Sequence, residues 1–179
     1  MKTQIALLFF ILFLGKFSFA QFYFGADVTG AYPLGHLKSQ VDFGYGPRLN
    51  VGYSLNEKLD ISFSYELLNF KTMQPDFKIM SETLSAKYKF NMKKYNPYLG
   101  VRAGIYHSKV KVPSFFNGQT IETSQKKENA FGIAPIAGLI INTGNPEKLK
   151  FNISASYSTL KFKNNYQYLS LSFGVLYFL

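Results

Sequence analysis

Residues 41–55 read VDFGYGPRLNVGYSL, and their alternation decides the fold. Val41, Phe43, Tyr45, Pro47, Leu49, Val51, Tyr53 and Leu55 fall on one face of an extended strand. Asp42, Gly44, Gly46, Arg48, Asn50, Gly52 and Ser54 fall on the other, because successive side chains of a strand point to opposite sides. After Asn56, Glu57 and Lys58 the period resumes, with Leu59, Ile61, Phe63, Tyr65 and Leu67 facing one way and Asp60, Ser62, Ser64 and Glu66 the other. Two such runs joined by a short polar turn predict a hairpin. If that turn sets Leu55 opposite Leu59, Arg48 stands opposite Glu66.

The same reading along the chain predicts eight strands: 22–31, 41–55, 59–70, 79–91, 97–109, 130–142, 149–162 and 167–179. Connections alternate between short turns (56–58, 92–96, 143–148) and longer polar loops (32–40, 71–78, 110–129), with the shorter 163–166 last. The strand at 130–142 is the least regular, since Ala134, Ile136 and Ile140 make its second face apolar too. Pro135 removes a ladder donor there, which predicts a bulge or local distortion.

The chain opens MKTQIALLFFILFLGKFSFA, with a basic residue at Lys2, an apolar run from Ile5 to Leu14, and Ser18-Phe19-Ala20 as a small-x-small site. This is the pattern of a signal peptide, residues 1–20, cleaved before Gln21; a transmembrane helix needs ~20 apolar residues. Cleavage leaves residues 21–179 as one domain and removes Lys2 and Lys16 but no acid, so the net charge falls from +10 to +8. There is no cysteine, so neither a disulfide nor a thiolate metal site contributes to stability. Aromatics are 18% of the chain, yet mean hydropathy is −0.03, because Ser, Asn, Lys and Gly are interleaved with them. No later run suits a membrane helix, so membrane insertion requires strands, and only a closed barrel leaves no unpaired backbone edge in lipid.

Alternation alone does not say which face looks outward, since a ligand-binding soluble barrel turns its apolar face inward. The polar face decides: Asp27, Asp42, Arg48, Asp60, Glu66, Lys87, Lys89, Arg102 and Lys150 all fall on it, among glycines. An eight-stranded barrel is just wide enough for side chains to fill. The expectation is therefore an eight-stranded antiparallel up-and-down transmembrane β-barrel with an interior charge network, including an Arg48–Glu66 pair, in a plugged lumen. Phe22, Tyr23, Tyr53, Tyr95, Tyr98, Tyr106, Tyr157, Tyr177 and Phe178, near strand ends, are expected to form aromatic girdles at the two interfaces.

The final stretch, YLSLSFGVLYFL, keeps the alternation to Leu179 and carries neither the charge nor the proline that would protect a soluble edge strand. With the signal peptide and the eight strands, it resembles the small bacterial outer-membrane barrels, the class that includes OmpX-like proteins and the OmpA transmembrane domain. The resemblance implies an outer-membrane location, and a last strand whose outward Phe173, Tyr177 and Leu179 are read by the assembly machinery. The chain departs from that class in ending on Leu179 rather than Phe, with Phe178 on the inner face. Outer-membrane lipid, and a monomeric state, follow as expected surroundings.

Fold does not fix function. The leading expectation is a non-enzymatic envelope protein acting through its outer loops. Loop 110–129 carries Lys111, Lys126 and Lys127 against Glu122 and Glu128, which makes lipopolysaccharide phosphate a candidate ligand and a simply solvated loop the plainer reading. A narrow channel for small or amphipathic solutes is the alternative, although water-filled porin lumens use sixteen or more strands. A lipid A-modifying enzyme would need His107 and Ser108 as base and nucleophile, yet adjacent strand residues face opposite ways. His36 has no evident partner, two histidines offer no metal set, and no cofactor is expected. The dispersed basic residues do not suit nucleic acid.

Overall fold

The computed structural model describes residues 21–71, 77–90, 92, 94–116, 119–144, 148–162 and 165–179, with the side chains of 110–126 outside that description. The proposed signal peptide lies outside the described residues. Eight strands run in sequence: β1 (Gln21–Leu34), β2 (Gly44–Ser54), β3 (Leu59–Phe70), β4 (Phe77–Lys89), β5 (Tyr95–Phe116), β6 (Gln119–Asn142), β7 (Leu149–Lys161) and β8 (Asn165–Phe178). One helical turn, α1 (Gly35–Lys38), lies between β1 and β2. Every strand pairs antiparallel with its sequence neighbours, and β8 pairs with β1 to close the barrel. Closure extends to the last residue, where the Leu179 N–H donates to the Phe22 carbonyl at 3.0 Å. The apolar terminal strand needs no edge protection because it has no free edge.

The alternation divides the molecule into a wall and a lumen. Phe24, Val28, Leu49, Phe63, Leu84, Leu171 and Phe173 are among the large apolar side chains exposed on the outside. The intervening positions hold serines, threonines, asparagines and charges, and these are buried. A continuous apolar outer surface of this kind on all sides is stable only against lipid.

Side-chain oxygens close the short turns. Asn56 Oδ1 accepts from the Lys58 and Leu59 amides at 2.8 Å each, and the Leu55 N–H donates to the Leu59 carbonyl at 2.9 Å. Leu55 and Leu59 are thus paired, and β2 and β3 run in the register that sets Arg48 against Glu66. The β2–β3, β4–β5 and β6–β7 connections lie at one end, together with Gln21 and Leu179, and define a turn end; α1 and the other connections define a loop end.

Two local expectations need correction and a third, at Pro135, is met in one of its two forms. The predicted loop 110–129 is mostly ladder: β5 and β6 stay paired through Phe116↔Gln119, beyond their last partners on β4 and β7, with one register shift at Ser114/Phe115. At Pro135 the expected irregularity is a local interruption and not a bulge: pairing with β7 skips Ala134 and Pro135 and resumes in the same register, Ile133↔Thr159 before and Ile136↔Ser156 after. A missing N–H therefore interrupts the ladder without displacing it. Finally, β2 begins at Gly44, not Val41. Gly35 adopts φ +54° and turns the chain into α1, whose Leu37 carbonyl accepts from the Val41 N–H at 3.1 Å. Val41 is consequently buried beside Leu37, and the alternation starts only after it.

Candidate functional site: the lumen and its two ends

Inward-facing side chains sort into three layers along the barrel. The middle layer is polar. Arg48 Nε and Nη2 donate to Glu66 Oε1 at 2.9 and 2.5 Å, and both residues are 2% exposed. Beside them runs a chain of hydrogen bonds between five strands. Ser64 Oγ on β3 donates to Asn50 Oδ1 on β2 at 2.7 Å, and Asn50 Nδ2 donates to Asp27 Oδ2 on β1 at 2.6 Å. Asn152 Nδ2 on β7 donates to Asp27 Oδ1 at 3.3 Å, and Tyr98 Oη on β5 donates to Asn152 Oδ1 at 3.0 Å.

Two glycines allow this reach. Asn152 and Asp27 are both paired with Gly174 of β8, and a Cβ there would strike the Asp27 side chain and the Ala26 carbonyl. Gly138 of β6 likewise leaves the space that the Tyr98 ring crosses on its way to β7. Side chains from non-adjacent strands therefore meet over positions where the intervening strand has none.

Six charged residues are buried among the described residues: Asp27, Asp60 and Glu66 against Arg48, Lys87 and Arg102. Equal numbers of each sign matter in a low-dielectric interior, where an uncompensated charge is costly. Asp60 is paired across strands with Lys87 and accepts an ion pair from Lys89 at 2.7 Å. The Lys87 ammonium also lies 5.6 and 5.9 Å from the ring centroids of Tyr98 and Tyr23. Lys89 is half-buried nearer the turn end, where Lys150 Nζ stands 4.1 Å from the Phe178 ring centroid. These two lysines line an open vestibule with Gln21, Asn56, Asn96 and Asn142 rather than the closed interior.

Asp42 is a correction: it is exposed and lies outside β2, its amide donating to the Lys71 carbonyl at 2.8 Å. The physical reason is the Val41 burial already described, which takes the preceding residues out of the strand's alternation.

The loop-end layer was not foreseen in the sequence. Leu37, Val41, Leu68, Phe70, Phe77, Ile79, Leu160 and Phe162 form a buried apolar cluster together with Ala31, Tyr106, Ala130 and Tyr168. The rings of Phe70 and Phe77 meet edge to face with centroids 5.8 Å apart. The strand residues among them share the parity of the lumen charges, so period 2 assigns them inside, whereas Leu37 in α1 and Val41 before β2 are brought in by the helical turn. The missed signal is that the inner face turns apolar toward the loop end of β3, β4 and β7. A smaller apolar cluster of Tyr23, Tyr98, Ile136, Ile140, Leu176 and Phe178 lies toward the turn end.

Of the nine aromatics expected at the interfaces, Tyr23, Tyr98, Tyr106 and Phe178 instead point into the lumen by parity. Phe22, Tyr53, Tyr95, Tyr157 and Tyr177 are on the outer wall, with the Phe22 and Tyr53 rings 4.7 Å apart. Phe173 and Leu179 are also exposed on that wall. His107 and Ser108 face opposite ways: His107 Nδ1 lies 2.8 Å from Asn129 Oδ1 outside, and Ser108 is buried inside. His36 Nε2, in α1, lies 3.1 Å from Gln40 Nε2.

Comparison with known proteins agrees with this geometry. The family profile described as outer membrane protein beta-barrel domain matches residues 7–177. No curated protein sequence matches the chain. Among solved structures, Neisserial surface protein A is similar with a TM-score of 0.69 at 24% identity, covering 88% of this chain and 97% of that one. Ail, the attachment invasion locus protein of Yersinia pestis, is similar with a TM-score of 0.57 at 22% identity, covering 89% and 97%. OprG of Pseudomonas aeruginosa has a TM-score of 0.57 at 15% identity, covering 90% and 96%. These likenesses extend over nearly the whole of both chains and concern the fold. With a closed eight-stranded barrel, an apolar outer wall and a profile match over almost its full length, the chain belongs to the outer membrane protein beta-barrel family of the bacterial outer membrane.

Proposed function

We propose that this protein is a non-enzymatic, monomeric barrel with a plugged lumen, acting in envelope structure or surface interaction through its loop end. The observation that carries this reading is the hydrogen-bonded chain from Tyr98 through Asn152, Asp27 and Asn50 to Ser64, which ties five strands together across the lumen. The apolar cluster around Leu37 supports it from the loop end, since a solute would have to part packed aromatic and aliphatic side chains. The opposed directions of His107 and Ser108 speak against a nucleophile–base pair.

In this family the short turns face the periplasm and the longer connections face outside. The extended β5–β6 hairpin is accordingly the most prominent outer element, and lipopolysaccharide phosphate is the candidate ligand of that end. Residues 1–20 serve as the export signal, and the outward Phe173, Tyr177 and Leu179 of the last strand as the mark for the assembly machinery. The test is electrical. Chain 21–179, refolded in detergent and added to a planar bilayer, is expected to give no current steps while its unboiled form migrates apart from the boiled form on a gel. Reproducible unitary steps from the folded form would overturn the plugged reading in favour of a channel.

A further inference from the structure

Three lysines stand side by side on the outer wall at the loop end. The β4–β5 ladder pairs Lys78 with Lys109, and the β5–β6 ladder pairs Lys109 with Lys127. Paired residues share a face, and this face is the outward one: Ile105 and Phe131, of the same parity, are exposed, while Tyr106 and Ala130 are buried. Lys78 and Lys127 are exposed and Lys109 is half-buried. No hydrogen bond or ion pair among the described residues engages their ammonium groups.

Among the described residues, the surroundings offer no internal compensation. The next row toward the turn end holds Met80, His107 and Asn129, without a carboxylate. The nearest outward acid on these three strands, among the described residues, is Glu82, one row further. Like charges directly opposite one another on a sheet destabilise it, so the bare row carries a cost that a bound anion would remove. Strands ~4.8 Å apart bring three flexible ammonium groups within reach of one phosphate. Beyond Glu82 the same wall continues as Leu84, Ala103 and Ile133, an apolar surface. An anion at the row is therefore most favourably carried by a molecule whose other end is acyl chain.

We propose that Lys78, Lys109 and Lys127 form a binding row for the phosphate of a phosphorylated lipid of the outer leaflet, seated against the β4–β6 wall. This rests on the reading of the loop end as the outward, phosphate-binding end and assigns it a site on the lipid-facing wall. Lysine stems lie along apolar surface while their heads reach the interface, and juxtamembrane basic clusters recognise anionic headgroups in this way.

The experiment places the folded barrel in phosphatidylcholine nanodiscs doped with either diphosphorylated lipid A or its phosphate-free form. Lipid retained per barrel is then counted by native mass spectrometry after release into mild detergent. The parent is expected to retain the phosphorylated lipid, and K78Q/K109Q/K127Q to retain at least tenfold less. A control triple variant at turn-end lysines, K58Q/K94Q/K148Q, is expected to match the parent, and the phosphate-free lipid to be lost by all three. Equal retention by the parent and K78Q/K109Q/K127Q, or of both lipids by the parent, would overturn the row. The same preparations in a planar bilayer keep the two readings apart: silence with unselective retention refutes the row alone, whereas current steps refute the plugged barrel.

Discussion

Removing Glu66 should cost this barrel more than removing Arg48, although the two residues form one pair. Both are 2% exposed, and Arg48 gives two hydrogen bonds, at 2.9 and 2.5 Å, to a single carboxylate oxygen. Breaking a buried pair by deleting one partner typically costs about 3–5 kcal/mol, because the survivor is left charged in a low-dielectric site. Here the survivors differ. Arg48→Ala leaves Glu66 within electrostatic reach of the buried Arg102, so a cation remains to face it, and the loss should fall near the lower end, about 3 kcal/mol. Glu66→Ala leaves Arg48 within reach of Arg102, two buried acids against three buried bases, and the acid in its reach, Asp27, already accepts from Asn50 and Asn152, so the loss should fall near the upper end, about 5 kcal/mol. The double variant R48M/E66L restores the balance with apolar groups of similar length and should recover most of either loss, since such replacements are often close to neutral. Urea unfolding from lipid vesicles, followed by the heat-sensitive gel shift, measures all four. Single variants unfolding at the parent's midpoint would refute the pair's role, and losses that add in the double variant would refute the coupling.

Three further outcomes follow from other contacts. Asp27→Ala strands the amide groups of Asn50 and Asn152 and should lower the unfolding free energy by roughly 2–4 kcal/mol, with Asp27→Asn losing less; the same urea series checks both. Gly174→Val would place side-chain atoms on Asp27 and the Ala26 carbonyl, so the variant should fail to give the compact, fast-migrating band under conditions that fold the parent, while Val175→Ile on the lipid face should fold normally. Leu37→Ser should leave the barrel's melting temperature nearly unchanged but raise amide exchange in residues 35–41 at least tenfold, because Leu37 is the buried side chain of α1 and packs into the loop-end cluster; unchanged exchange would show that Val41 and the Tyr166 contacts of His36 and Gln40 hold the turn without it.

How far the fold was legible follows from period 2. Strand identity, closure and the β2–β3 register all rest on alternation and on one Asn-initiated turn, and these are properties of neighbouring residues that a single sequence displays. The β5–β6 hairpin was also displayed and overlooked: Asn117-Gly118, flanked by Phe115, Phe116 and Ile121, is a strong short-range hairpin dipeptide. Its polar composition read as loop because a ribbon reaching past the rim has no core to face. Inside the barrel, parity places Asp27, Arg48, Asp60, Glu66, Lys87 and Arg102 in the lumen but is silent on depth. Whether a charge meets its counterpart depends on strand stagger and on which glycines open a path between non-adjacent strands, as Gly138 and Gly174 do. Asp42 shows the limit from the other side, since one helical turn with a positive-φ glycine was enough to take it off the strand. The lysine row needed two ladders at once, Lys78↔Lys109 and Lys109↔Lys127, residues far apart along the chain.

The most direct test of the whole account is the orientation of the last strand. The chain has no cysteine, so single cysteines at positions 169–177 can each carry a nitroxide label in lipid bilayers. Collision with lipid-soluble oxygen should be high for labels at Leu169, Leu171, Phe173, Val175 and Tyr177 and low at Ser170, Ser172, Gly174 and Leu176, a period of two along the strand. The opposite phase, with the apolar set shielded and the polar set open to a water-soluble relaxant, would turn the barrel inside out and contradict the lipid-facing wall.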